Sequence, residues 1–275
     1  MTILHNSKVM CSRYVYNGFY AWVVCFLLVS VSVDAQQRRR IHETRPRRVF
    51  APEHPRYVKP DARQPAIYFP QAPLPGQIRK SVGLVFTTTP PELTEEVRVS
   101  VPAIDLNVQR GITKRLYAIG RIQTQIVQSN IGLGLRWSSQ LTDRMFIAPG
   151  IDVTGWFGAL QVKDVFNSQA VGIQTFPNLS VGYRFTRDVQ LTVKTEAIID
   201  LYYGSKVGNL AVVYDRRRVN GVAFTFMLEQ PLYKQQHVSV GFRAAYSNFN
   251  WQLWSLYDTF DRNLFYPQLI FGFIL

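Results

Sequence analysis

The sequence predicts an all-β fold, an antiparallel transmembrane β-barrel of ten strands (eight as the alternative) behind a disordered basic, proline-rich arm. Three observations predict it. Apolar and polar residues alternate with period two through segment after segment from about residue 97 to the carboxyl terminus. Many of these segments run 9–13 residues, which suits a tilted membrane strand of ~9–11 better than a soluble strand of ~5–6. The polar faces also carry charges in mid-strand, at Arg121, Lys194, Glu196 and Arg243.

Composition sets the bounds. The chain has 275 residues, 47% of them hydrophobic, with a net charge of +13. That is too apolar for a disordered chain and long enough for a sizeable core. A single apolar stretch approaches a helical span, which excludes a polytopic helical membrane protein. Two cysteines exclude a disulfide scaffold and a four-cysteine zinc site.

Residues 1–35 read as a secretory signal. Lys8 and Arg13 precede the apolar run 19–33, and Val33-Asp34-Ala35 offers a small-residue cleavage site after Ala35. Arg38, Arg39 and Arg40 just beyond it leave an uncleaved anchor open. Both cysteines, Cys11 and Cys25, lie inside this leader.

Residues 36–80 carry 11 Lys+Arg against three acidic residues, and eight of the chain's 15 prolines. Such a segment neither continues a helix nor pairs inside a sheet, so an extended, disordered periplasmic arm is expected. It is available to an acidic or protein partner, such as cell-wall polymer, or serves only as a solvated spacer. Behind a secretion signal, nucleic acid is not the expected partner. The remainder, 81–275, is only +4, so most of the charge excess belongs to the arm.

The strands follow in order. A weak candidate at 81–88 sets Val82, Leu84 and Phe86 on one face. At 97–108, Val97, Val99 and Val101 give way to Ile104, Leu106 and Val108, a phase slip that predicts a bulge near Pro102. Clean alternation marks 116–127, 131–138, 145–156, 177–185, 189–201, 222–229 and 238–246. The last strand sets Leu269, Phe271, Phe273 and Leu275 against Gln268 and Gly272. Short connections at 139–144, 186–188 and 230–237 alternate with long ones at 157–174, 202–219 and 247–263, the asymmetry of periplasmic turns and outer loops. An even strand count puts both ends of the barrel on one side, which gives the strand at 97 a partner at 81. Aromatics collect at the expected rims, Tyr117, Trp137, Tyr183 and Phe185 on one side and Trp156, Phe157, Tyr202, Tyr203, Trp251 and Trp254 on the other.

On these residues the chain resembles the small outer-membrane β-barrel proteins of Gram-negative bacteria, at the level of architecture. The resemblance implies an outer-membrane location in contact with lipid. It also implies a carboxyl-terminal signal for the barrel-assembly machinery, matched by Leu269, Phe271, Phe273 and Leu275, although Leu275 replaces the usual terminal aromatic.

The expected lumen holds Arg121, Arg136, Arg184, Lys194 and Arg243 with Asp105, Asp152, Glu196, Asp200 and Glu229. In a barrel this narrow, these groups are expected to satisfy one another as a structural polar network. No cofactor or metal site is expected. His42 and His54 lie in the arm and His237 at a turn, and no histidine pair has ligand spacing. Gly132-Leu133-Gly134 lacks the following helix of a nucleotide loop and reads as small inward residues relieving crowding. Arg216, Arg217 and Arg218 follow Asp215 in a long loop, there to meet lipid phosphates or simply be solvated. The function expected is therefore a non-enzymatic structural, anchoring or interaction module. The alternatives are a small-solute channel, then an outer-membrane hydrolase or a soluble ligand-binding barrel.

Overall fold

The structure is a computed structural model that describes residues 66–94, 99–162, 166–186, 188–207, 210–212, 219–233, 236–256 and 262–275. The leader, the arm up to residue 65, both cysteines, His42, His54 and Arg216–Arg218 lie outside the described residues.

Ten strands form the wall: β1 (Ile78–Thr88), β2 (Ser100–Gly111), β3 (Leu116–Thr124), β4 (Gln128–Trp137), β5 (Met145–Val162), β6 (Phe166–Arg184), β7 (Gln190–Val207), β8 (Val219–Tyr233), β9 (Gln236–Ser247) and β10 (Leu264–Ile274). Each pairs antiparallel with its sequence neighbours. Closure comes from β1 on β10, in a register from Ser81 opposite Ile274 to Thr87 opposite Gln268. Closure leaves no free sheet edge, the condition for a β-structure to sit in lipid. Short strands Ser139–Gln140 and Leu210–Val212 pair with β5 and β7. The amino end of β1 and the carboxyl end of β10 share one rim, called here the terminal rim; the opposite end is the loop rim.

Alternation becomes an inside and an outside. Leu84, Ile104, Ile131, Leu133, Leu135, Ile151, Val153, Leu179, Phe224, Phe226, Val240, Phe242, Leu269, Phe271 and Phe273 point outward and are exposed. An apolar belt around the whole circumference far exceeds the few hundred Å² that soluble monomers tolerate. It is a lipid-facing surface, and the protein is a membrane-spanning β-barrel of the outer-membrane type. The buried side of the wall is mostly polar, including Asp105, Asn107, Gln109, Thr192, Glu196, Thr225 and Ser239.

Four expectations need correction. Pairing of β1 with β2 runs without a register shift from Thr88–Ser100 to Ile78–Arg110, so there is no bulge at Pro102. The apparent phase slip has another cause. Val101 faces inward and packs against the buried cluster containing Leu253 and Leu264, because the interior near the loop rim is apolar. Bulges occur instead at the β6–β7 and β7–β8 pairings, near Leu201 and Asn220. The expected long loop 157–174 is mostly strand: β5 and β6 pair without interruption from Met145–Tyr183 to Val162–Phe166. Alternation in that stretch is hidden because three of its inward positions are Gly158, Ala170 and Gly172, small residues that lie against aromatic rings. A Cβ on Gly158 or Gly172 would meet the Trp254 or Trp156 indole.

The aromatic rims divide likewise. Trp137, Phe157, Phe185 and Tyr202 face outward, whereas Tyr117, Trp156, Trp251 and Trp254 are buried inside. Finally, the arm does not run as solvated chain up to residue 80. β1 begins at Ile78, and Ala66, Ile67, Phe69 and Ala72 are buried.

Candidate functional site in the barrel lumen

Two chain segments close the lumen, one from each rim, and a cavity lies between them. At the terminal rim, residues 66–72 cross the interior. Glu229 on β8 accepts hydrogen bonds from the backbone N–H groups of Ile67 (2.7 Å), Tyr68 (3.1 Å) and Phe69 (2.8 Å). A segment without secondary structure must find partners for its buried N–H groups, and one carboxylate supplies three. Such bonds to a charged acceptor are worth about 1.5–3 kcal/mol each. The carbonyls are answered too. Arg79 donates to Ala66 and Gln71, Gln109 to Ile67, and Ser138 to Pro70. Arg184 donates to the Gln71 side chain (2.7 Å) and lies over the Phe69 ring at 5.1 Å. Phe69 itself stacks edge-on against Phe146. The wall is cut to receive the segment: a Cβ on Gly182 would collide with Pro70 and Phe69, and one on Gly111 with the Pro73 and Leu74 carbonyls.

At the loop rim, the 3-10 turn Trp251–Leu256 and the residues before it fold inward. The bulge aims Asn220 at Phe249, whose N–H it accepts at 3.1 Å and whose carbonyl it contacts at 3.3 Å. Gln252 binds Thr87 (2.5 Å) and Gln268 (2.6 Å), and Gln128 donates to its carbonyl. Trp156, Ala170, Phe249, Trp251 and Trp254 pack as one aromatic cluster.

The cavity between these closures has a volume of about 130 Å³, and Ile67, Tyr68, Phe249 and Gln252 lie at its two ends. That volume is near that of a cavity able to take a benzene-sized molecule, and polar side chains such as Asn130, Gln123 and Thr225 among its apolar lining can hydrogen-bond water or a small polar solute in it. Its wall carries an ionic chain. Asp152 binds Arg136 (2.8 Å) and Lys194 (3.2 Å); Lys194 reaches Glu196 (2.5 Å); Glu196 holds Arg243 (2.6 Å). Asn178 also donates to Asp152, and Arg243 to Gln268. A second unit joins Arg121 to Asp105 (2.7 Å), which Asn107 and the Tyr68 hydroxyl also contact. Glycines make the room: a Cβ on Gly134 would lie 2.0 Å from the Asp152 carboxylate, and one on Gly132 against Thr154. Gly132 and Gly134 are therefore packing positions.

All ten lumen residues singled out from sequence face inward, in three groups with one residue apart from them. Arg136, Asp152, Lys194, Glu196 and Arg243 form the chain, and Arg121 joins Asp105. Arg184 and Glu229 serve the terminal closure. Asp200 stands apart, accepting from Gln174 (2.6 Å) and Asn220 (3.0 Å). Asp152, Glu196 and Asp200 thus do not gather into an acidic cluster, since Lys194 separates the first two. Among the described residues no group of His, Cys, Asp and Glu could hold a metal ion. Sequence reasoning missed Tyr68, Arg79, Gln109, Asn220 and Gln252. Extending the β1 alternation back from Ser81 would have placed Arg79 inside. The apolar run Ala66-Ile67-Tyr68-Phe69, isolated within the arm, was the signal that this stretch is buried.

No protein-family model and no curated protein sequence matches the chain. Among solved structures, the NanC porin is similar at a TM-score of 0.39 and 10% identity, over 71% of this chain and 98% of that one. An outer membrane channel from Pseudomonas putida F1 is similar at 0.39 and 8%, over 75% and 98%. The outer membrane protease OmpT from Escherichia coli is similar at 0.42 and 8%, over 78% and 99%.

Proposed function

We propose that the protein is an outer-membrane channel for small polar solutes, with its lumen closed at both rims in the conformation described. The observation that carries this reading is the cavity held between two inserted segments. The wall itself does not fill the bore: its side chains form ion pairs along the lining and leave about 130 Å³ of space. The space lies on the path a solute would take along the bore. The charged side chains lining the cavity are Arg121, Arg136, Lys194 and Arg243 against Asp152 and Glu196, a small positive excess. Weak charge selectivity among small solutes follows.

The terminal rim, with its shorter turns, faces the periplasm, as such barrels are built. The basic arm then enters the periplasm and reaches an acidic partner there, and the outward Leu269, Phe271, Phe273 and Leu275 are presented to the barrel-assembly machinery. A second reading, a sealed anchoring module, is favoured by the extent to which residues 66–72 are bonded inside the barrel. Single-channel recording of the refolded full chain in planar bilayers separates the two. Discrete openings are expected, and their complete absence from correctly folded protein would leave the anchor.

A further inference from the structure

We infer that residues 66–72 are the gate of the lumen, latched by Glu229 and hinged at Gly76; the inference rests on the channel reading above. The two closures differ in how they are tied. Residues 249–254 are held at both ends, between β9 and β10, and interlock with Trp156 and Ala170 on the wall. Removing them would disrupt the aromatic cluster and the Asn220 bulge. Residues 66–72 belong to no strand; they are held to the wall by side-chain bonds, and among the described residues their backbone path first meets the wall backbone where Pro75 bridges Gly111 and Gly76 donates to the Gly111 carbonyl.

Gly76 has φ of +79°, a conformation open to glycine, and nothing lies within 4 Å of where its Cβ would be. Pro73 and Pro75 stiffen the link on either side of Leu74, so rotation at Gly76 moves residues 66–75 as one piece and releases the Pro75–Gly111 bridge. Its withdrawal breaks no pairing between the wall strands. The groups that hydrogen-bond it, Glu229, Arg79, Arg184 and Gln109, are polar or charged, and water entering the vacated bore solvates them; Phe146 and the Val85, Ala103, Met227 and Ile270 cluster are the apolar part of the socket.

The test is planar-bilayer recording of the full chain beside three variants: Glu229→Gln, Phe69→Ala and a deletion of 66–72. Heat-modifiable gel migration of each first establishes a folded barrel. The expected result is an open fraction raised by at least about tenfold in Glu229→Gln and Phe69→Ala. The deletion should be open throughout, at the unit conductance of the native openings. If native protein opens and all three variants keep its open fraction, the gate inference is overturned while the channel reading stands. Folded native and deletion proteins that both stay silent overturn the channel reading, and the gate with it. Should the deletion fail to fold, the two point variants decide by the same criterion.

Discussion

Replacing Leu133 by Arg is the most direct measure of what surrounds this barrel. Leu133 is the sixth residue of the ten-residue β4, 71% exposed on the outer face, between Ile131 and Leu135. Its position near the middle of the strand puts it near the bilayer midplane, where an outward Arg costs about 2–4 kcal/mol. Losing the leucine's own contact with lipid adds about 1 kcal/mol, since most of its side chain would otherwise be removed from water. The expected total is about 3–5 kcal/mol. Urea titration of the protein folded in large unilamellar vesicles, followed by tryptophan fluorescence and gel migration, measures it. In a water-soluble barrel the same change would replace an exposed residue and stay within about 0.5 kcal/mol. A loss below that figure would refute the lipid-facing assignment of this face.

Other expectations follow from the lumen. Glu196→Gln leaves Arg243 and Lys194 without their shared carboxylate; because Lys194 keeps Asp152, a loss of about 2–3 kcal/mol is expected, below the usual cost of orphaning a buried charge. Equilibrium unfolding in detergent reads it. Gly134→Ala pushes a methyl group into the Asp152 carboxylate and should cost about 1–3 kcal/mol, with Gly120→Ala, whose Cβ meets nothing closer than 4.0 Å, as the mild control. Gly182→Ala crowds Pro70 and Phe69 without touching the ladder. It should raise proteolytic cleavage within 66–72 while the barrel keeps its compact gel mobility; unchanged cleavage would count against the fit described.

The wall was legible in the sequence because lipid outside and polar groups inside impose opposite demands on successive residues, and a strand exposes that contrast at period two. Val222, Phe224 and Phe226 against Thr225 and Glu229, or the last strand from Leu269 to Leu275, needed nothing else. Parity excluded an odd strand number and left eight beside ten; the pairing of β1 with β10 settled on ten. The lumen residues were legible for the same reason, since parity alone assigns Arg121, Lys194, Glu196 and Arg243 to the inner face.

Parity says which face a residue occupies and nothing of what fills the space in front of it. The interior is occupied by Ala66–Ala72 and Phe249–Trp254, which lie far from the wall residues in sequence and lack any periodicity. Glu229, one of several inward acids on paper, is the latch only because the chain returns from 162 residues earlier to offer it three N–H groups. Gly158 hid the alternation where Trp254 of the loop-rim insert presses against the wall, and Gly172 where the Trp156 ring does. The barrel was thus determined by the sequence through its contact with solvent and lipid, and its closed lumen only by the tertiary structure, through contacts of one distant segment with another.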